Sequence, residues 1–288
     1  MTTYDYWRLL KPRVLVAMAA LYVASFLASH AYMEGGPLDV YRLAAGLVAV
    51  FAAVGGSNAL NCYLDRDIDA LMARTLTRPI PSGIIEPGGA FALGLLLLAS
   101  ASALSLSLGP LPFLLFVEGV ASYLVLYTLI LKRRTSLNVL ATAPAVAAPA
   151  WFGWIMGGAP FGLQALLLGL IVAIWGPLHL WSIAYAFARD YLRGGVPMLP
   201  AVVPPGKAAR AVLAALLALV SSSYLLSLWS RSTLYPLIVS LINVPLMLAG
   251  LRLHMDPSRR AGWWLFKLTA PYIVVVLFAF TADQYLLL

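Results

Sequence analysis

Residues 58–83 read N-A-L-N-C-Y-L-D-R-D-I-D-A-L-M-A-R-T-L-T-R-P-I-P-S-G, directly behind an apolar run that begins near Leu43. Asn61, Asp65 and Asp69 stand four residues apart in it. At 3.6 residues per turn, that spacing stacks three oxygen-bearing side chains along one stripe of a helix. Asp67 falls roughly 200° round from Asp65 and faces elsewhere. Two carboxylates and an amide on one stripe form a hard-oxygen site. Such a site suits Mg²⁺, which binds through one or two carboxylates and completes its shell with substrate phosphates. Arg74 and Arg78 follow, and guanidinium groups beside a carboxylate-bound metal are what a diphosphate needs. In a soluble helix the same spacing would be ordinary surface charge. Behind a membrane span it is not, because an acidic residue costs about 2.5–3.5 kcal/mol at the bilayer centre and ionisable groups there mark function.

Working outward, the chain has 288 residues, 62% hydrophobic and 10% charged. Soluble domains carry about 25% charged residues, so this is the composition of a polytopic membrane protein. The first apolar run leads straight into further spans and predicts no cleaved signal. The single cysteine, Cys62, excludes an internal disulfide and a Cys₄ cluster, and reads as a small packing residue. The net charge of +8 reflects basic loops rather than nucleic-acid binding.

Nine spans are predicted, at about 14–33, 41–64, 89–109, 111–131, 137–156, 161–187, 209–229, 233–253 and 263–285. With a cytoplasmic N-terminus and an outside C-terminus, all of the 19 Lys and Arg except Arg42 and Arg231 fall inside. Two Pro- and Gly-rich loops, 70–88 and 190–208, then share the cytoplasmic side. They follow spans two and six. The expectation is one domain over 1–288, with pseudo-repeat halves at about 14–131 and 137–253 and an appended ninth helix at 263–285.

Other residues could carry chemistry. Lys132, Arg133 and Arg134 are either a topology signal or a second basic contact to a diphosphate. Tyr127 lies five residues before Lys132 near the same face. His179 sits inside span six, about 16 Å along a helix from Asp190. It is either a neutral ring bonded to a neighbouring helix or a contact to a substrate group or an iron centre. Asp190 is a lone carboxylate, a single ligand or the partner of Arg193. Glu118 lies within span four and must be protonated or paired.

These stretches resemble a known family. N-C-Y-L-D-R-D-I-D at 61–69, with R-T-L-T-R-P-I-P-S-G at 74–83, is similar to the first signature of the UbiA-type intramembrane prenyltransferases, in the form of the haem O synthase branch. Lys11-Pro12-Arg13, Y-T-L-I-L-K-R-R-T-S-L-N at 127–138 and H-L-W-S-I-A-Y-A-F-A-R-D-Y-L-R-G-G-V-P-M-L-P at 179–200 resemble further motifs of that branch. The family generally shows a second D-x-x-x-D, of which only Asp190 is present, and Arg189 stands where the branch often has another Asp.

The resemblance implies an all-α integral membrane fold of nine helices. They surround a central lipid-open cavity under a cytoplasmic cap made by the two long loops. It implies farnesyl transfer from farnesyl diphosphate to haem B, giving haem O for an oxidase pathway, with Mg²⁺ as cofactor and the lipid bilayer as surroundings. It implies Asp65, Asp69, Arg78 and Lys132 as catalytic residues and Asn61, Asp65, Asp69 and Asp190 as metal ligands. Arg74, Arg78, Lys132 and Arg133 would bind diphosphate, and His179, Tyr127 and Trp181 the acceptor. The alternatives are an aromatic or lipid acceptor, such as a quinone precursor, or a transporter. Transporter sites lie near the bilayer midplane, whereas this stripe ends a span.

Overall fold

Four of the long helices begin on proline, at Pro12, Pro87, Pro110 and Pro205, where the missing N–H costs nothing and the fixed φ favours a helical start. The structure, a computed structural model, describes residues 2–286. The expected domain limits, Met1 and Leu288, lie outside the described residues. Among the described residues nine helices are long and apolar enough to cross a membrane. They are α1 (Pro12–Tyr32), α2 (Val40–Leu64), α3 (Pro87–Leu108), α4 (Pro110–Leu131), α5 (Asn138–Met156), α6 (Leu163–Ala186), α7 (Pro205–Trp229), α8 (Leu234–Met255) and α9 (Arg259–Tyr285). Each lies within a few residues of its predicted span. A short helix, Thr3–Leu9, precedes α1.

The packing closes three rings that share helices. α1, α5, α6 and α9 touch in cyclic order and are the most buried helices. α2, α3 and α4 wrap from α1 round to α5, and α7 and α8 wrap from α6 round to α9. Small residues permit the close approaches. A Cβ on Gly153 of α5 would lie 2.3 Å from the Tyr22 carbonyl of α1. Prolines inside helices, Pro149, Pro177, Pro245 and Pro271, are tolerated where neighbouring helices cover the freed backbone.

α4 differs from the expected regular span. From Ala121 to Leu131 it runs as a π-helix of 11 residues. The two long loops meet at one end of the bundle. The backbone N–H of Arg74 donates to Asp190 Oδ2 at 3.2 Å, and a Cβ on Gly194 would lie 3.0 Å from the Met72 side chain. Glycine is what lets these two loops touch.

Candidate active site

α2 ends at Leu64, but the helical register of its stripe continues. The Asp65 N–H bonds to the Asn61 carbonyl at 2.9 Å, and the Asp69 N–H to the Asp65 carbonyl at 2.8 Å. Asn61, Asp65 and Asp69 are all buried and fall on one stripe, as their spacing predicts. Asp67 is exposed on the other side.

Basic groups from three segments converge on the stripe. Lys132, just past α4, pairs with Asp65 through Oδ2. Arg78, from the first loop, donates to Asp69 Oδ2 at 2.6 Å. Asn61 Nδ2 donates to Asp65 Oδ2 at 2.6 Å and to Thr128 Oγ1 at 3.1 Å. Lys11 donates to Asn61 Oδ1 at 2.7 Å and lies 3.4 Å from the Tyr123 hydroxyl. It reaches them from a left-handed backbone at φ 57°, directly before Pro12. Burial pushes its ammonium below the usual lysine range, while the nearby Asp65 and Asp69 charges hold it up. Asp65 Oδ1 is buried and has no hydrogen-bond partner.

The other predicted residues divide. Arg133 makes a two-pronged pair with Asp67, both bonds 2.7 Å, away from the stripe. Arg74 lies beside Asp190 through its backbone, and its guanidinium meets the Tyr191 hydroxyl at 3.2 Å and the Phe187 ring. Tyr127 is buried beneath the Lys132 ammonium, 5.6 Å from ring centre to Nζ. His179 Nδ1 lies 2.8 Å from Thr269 Oγ1, and the ring packs against Trp175 and Phe266. Its hydrogen-bond partner is thus the neighbouring helix α9. Trp181 is buried with an unpartnered indole N–H. Asp190 pairs with the first loop rather than with Arg193. Glu118 keeps one buried oxygen without a partner. Cys62 packs in the interior, as its composition context suggests.

Lys11, Tyr123 and Thr128 are the residues that the spacing argument missed. Lys11 had a signal in its K-P-R triplet. Tyr123 had none, because an α-helical period sends it away from Lys132. Among the described residues no three His, Cys, Asp or Glu side chains come together. A divalent cation on this stripe must therefore complete its shell with oxygens from a substrate or water.

A model of the UbiA prenyltransferase family matches residues 21–281. The chain belongs to that family. It is a multi-pass membrane prenyltransferase. A protein named protoheme IX farnesyltransferase from Pyrobaculum arsenaticum is 36% identical over 96% of this chain and 99% of that one. Another of that name, from Pyrobaculum neutrophilum, is 40% identical over 94% and 96%. Among solved structures, one concerned with digeranylgeranylglyceryl phosphate synthase in membranes matches with a TM-score of 0.78 at 18% identity, covering 98% of each chain. A UbiA homologue from Archaeoglobus fulgidus, bound to GPP and Mg²⁺, matches with a TM-score of 0.68 at 16% identity, over 96% of this chain and 99% of that one. At such identities the two structures establish the fold of the prenyltransferase and nothing finer.

Proposed function

We propose that this prenyltransferase moves a farnesyl group from farnesyl diphosphate to a vinyl group of haem B, giving haem O and diphosphate. The observation that carries the diphosphate half is the stripe itself. Two buried carboxylates are met by Lys132 and Arg78, and one oxygen of Asp65 is left without a partner. Buried charge in such density is expensive unless a ligand uses it. The acceptor rests on the relatives' shared name and on the motifs at 127–138 and 179–200.

The hard-oxygen set of Asn61, Asp65 and Asp69 fits Mg²⁺, and the orphaned Asp65 oxygen supplies a ready ligand atom. Asp190 does not join Asp65 and Asp69 in one cluster; it would act from the second loop through Arg74, whose backbone N–H it accepts. When bound, Mg²⁺ neutralises charge on the leaving diphosphate. Arg78 and Lys132 hold the same oxygens from other sides and stabilise the charge that develops as the C1–O bond breaks. Arg74 closes over the group from the loop junction. The bond's electron pair leaves with diphosphate, and C1 becomes an allylic cation. The terminal vinyl carbon attacks C1, and water adds to the carbon beside the porphyrin with loss of one proton. On the acceptor's side we place His179 and Tyr127; Trp181, about 200° round α6 from His179, keeps an unpartnered N–H on another face. The Asp65 end of the bundle faces the cytoplasm, where the basic loops belong.

The test is to incubate purified protein with haem B, farnesyl diphosphate and Mg²⁺ and to look for haem O by mass spectrometry. Haem O that disappears on chelation is the expected result. Diphosphate release without haem O would point instead to an aromatic or lipid acceptor.

A further inference from the structure

The end of α4 is built to an unusual period, and the period decides where Lys132 points. Tyr123 and Lys132 are nine residues apart, which on an α-helix puts them about 180° from each other. An i→i−5 ladder turns only about 80° per residue, which brings the two within roughly 20°. The structure uses the second arrangement. The Lys132 N–H bonds to the Tyr127 carbonyl at 2.8 Å, five residues back. Tyr123 and Tyr127 then stack at 6.0 Å with planes 10° apart. Tyr123 meets Lys11 on the stripe while Lys132 meets Asp65.

Long π-helices are rare and need support from outside the ladder. Two side chains provide it. Thr128 Oγ1 donates to the Tyr123 carbonyl at 2.8 Å and accepts from Asn61 Nδ2 at 3.1 Å, which ties the wide turn to the stripe of α2. Asn138, fully buried, donates from Nδ2 to the Lys132 carbonyl at 3.0 Å, just past the π-helix. Its Oδ1 has no hydrogen-bond partner, so the amide's one described bond is to Lys132. The Lys132 backbone is thereby held at its N–H by the ladder and at its carbonyl by Asn138.

We propose that Thr128 and Asn138 are positioning residues that hold α4 in its π-helical register so that Lys132 reaches the diphosphate. This deepens the function proposed above and rests on it. Neither residue needs to touch substrate. Small misplacements of a catalytic group can cost about 10²-fold, and a cation that works on developing charge affects kcat more than KM.

The experiment measures farnesyl diphosphate turnover at saturating haem B and Mg²⁺ for wild type, Thr128→Val, Thr128→Ser, Asn138→Ala and Lys132→Ala, and for Thr128→Val combined with Lys132→Ala. Thr128→Val keeps the shape and removes both hydroxyl bonds. Its kcat should fall about 10- to 100-fold with KM within about 3-fold, and Thr128→Ser should recover most of the loss. Asn138→Ala should show the same split. In the Lys132→Ala background, Thr128→Val should cost no more than about 2-fold, because residues acting through one group are not additive. Wild-type kcat in both Thr128→Val and Asn138→Ala would overturn the proposal. So would a Thr128→Val loss that persists in full without Lys132, or losses that follow a lowered melting temperature and escape rescue by serine. If wild type itself releases no diphosphate, the function proposed above fails, and this proposal with it.

Discussion

Asp65 and Asp283 are both carboxylates buried to 1% exposure or less, at opposite ends of the bundle. They are served in opposite ways. Asp283, near the end of α9, accepts from the backbone N–H of Arg231 at 2.6 Å, of Ser232 at 3.1 Å and of Tyr235 at 3.4 Å, and from Ser232 Oγ at 2.5 Å. It caps the α7–α8 connection, and both of its oxygens are taken. Asp65 is met by side chains alone, Lys132 and Asn61, both on Oδ2, and its Oδ1 has no partner. A satisfied buried carboxylate is a structural part. One that keeps an open oxygen among cations is, in the function proposed above, organised for a ligand. The difference teaches that burial alone does not separate these two carboxylates, whereas the partners of their oxygens do.

The comparison breaks most visibly through paired substitutions. Asp65→Asn should cut turnover by about 10³-fold or more while the detergent melting temperature moves little, since charge at the developing leaving group is a dominant catalytic contribution. Asp283→Ala should do the reverse. It strands three backbone N–H groups and a hydroxyl, at a cost of about 3–5 kcal/mol, and should lower the melting temperature while protein that remains folded keeps its KM. Melting curves and kinetics on the same preparations decide the matter, and a stable but inactive Asp283→Ala would collapse the distinction.

Arg78→Ala comes next. It removes the partner of buried Asp69 and a diphosphate contact together, so turnover should fall about 10²-fold. Inorganic diphosphate should also inhibit the variant more weakly. Equal inhibition of variant and wild type would remove Arg78 from the site.

His179→Ala sharpens the acceptor side. In the proposed role its loss should weaken haem B titration several-fold, although the ring has Thr269 as a protein partner, and leave inorganic diphosphate inhibition unchanged. Unaltered haem affinity, with a lowered melting temperature, would make the ring a helix–helix contact alone.

The smallest effect belongs to Asp67→Asn. Its pair with Arg133 is about half exposed on each side, and such pairs contribute about 0–1 kcal/mol. The Arg133 hydrogen bond is the main reason the Asp67 carboxyl sits below its ordinary value. Its contribution is therefore present above that ordinary value and is lost only as pH falls through the lowered one. At neutral pH the variant should match wild type within about 3-fold. A loss equal to that of Asp65→Asn would dismantle the stripe geometry.

Nine spans, the stripe of Asn61, Asp65 and Asp69, and the outward turn of Asp67 were legible from residue order, because hydropathy over about 20 residues and the 3.6 period are local properties. Partnerships were not local. Lys11 meets Asn61, Arg74 meets Asp190, His179 meets Thr269 and Asp283 meets the α7–α8 turn only because helices remote in sequence pack side by side. The π-helix of α4 was hidden for the same reason. Its i→i−5 ladder is held by contacts to α2 and to Asn138, and an α-helical period read from sequence turns Tyr123 away from the site it joins. Sequence by itself determined which polar groups lie at the membrane end of α2. Tertiary structure decided which of them keep an unanswered oxygen, because satisfying a buried polar atom depends on what other helices bring to it.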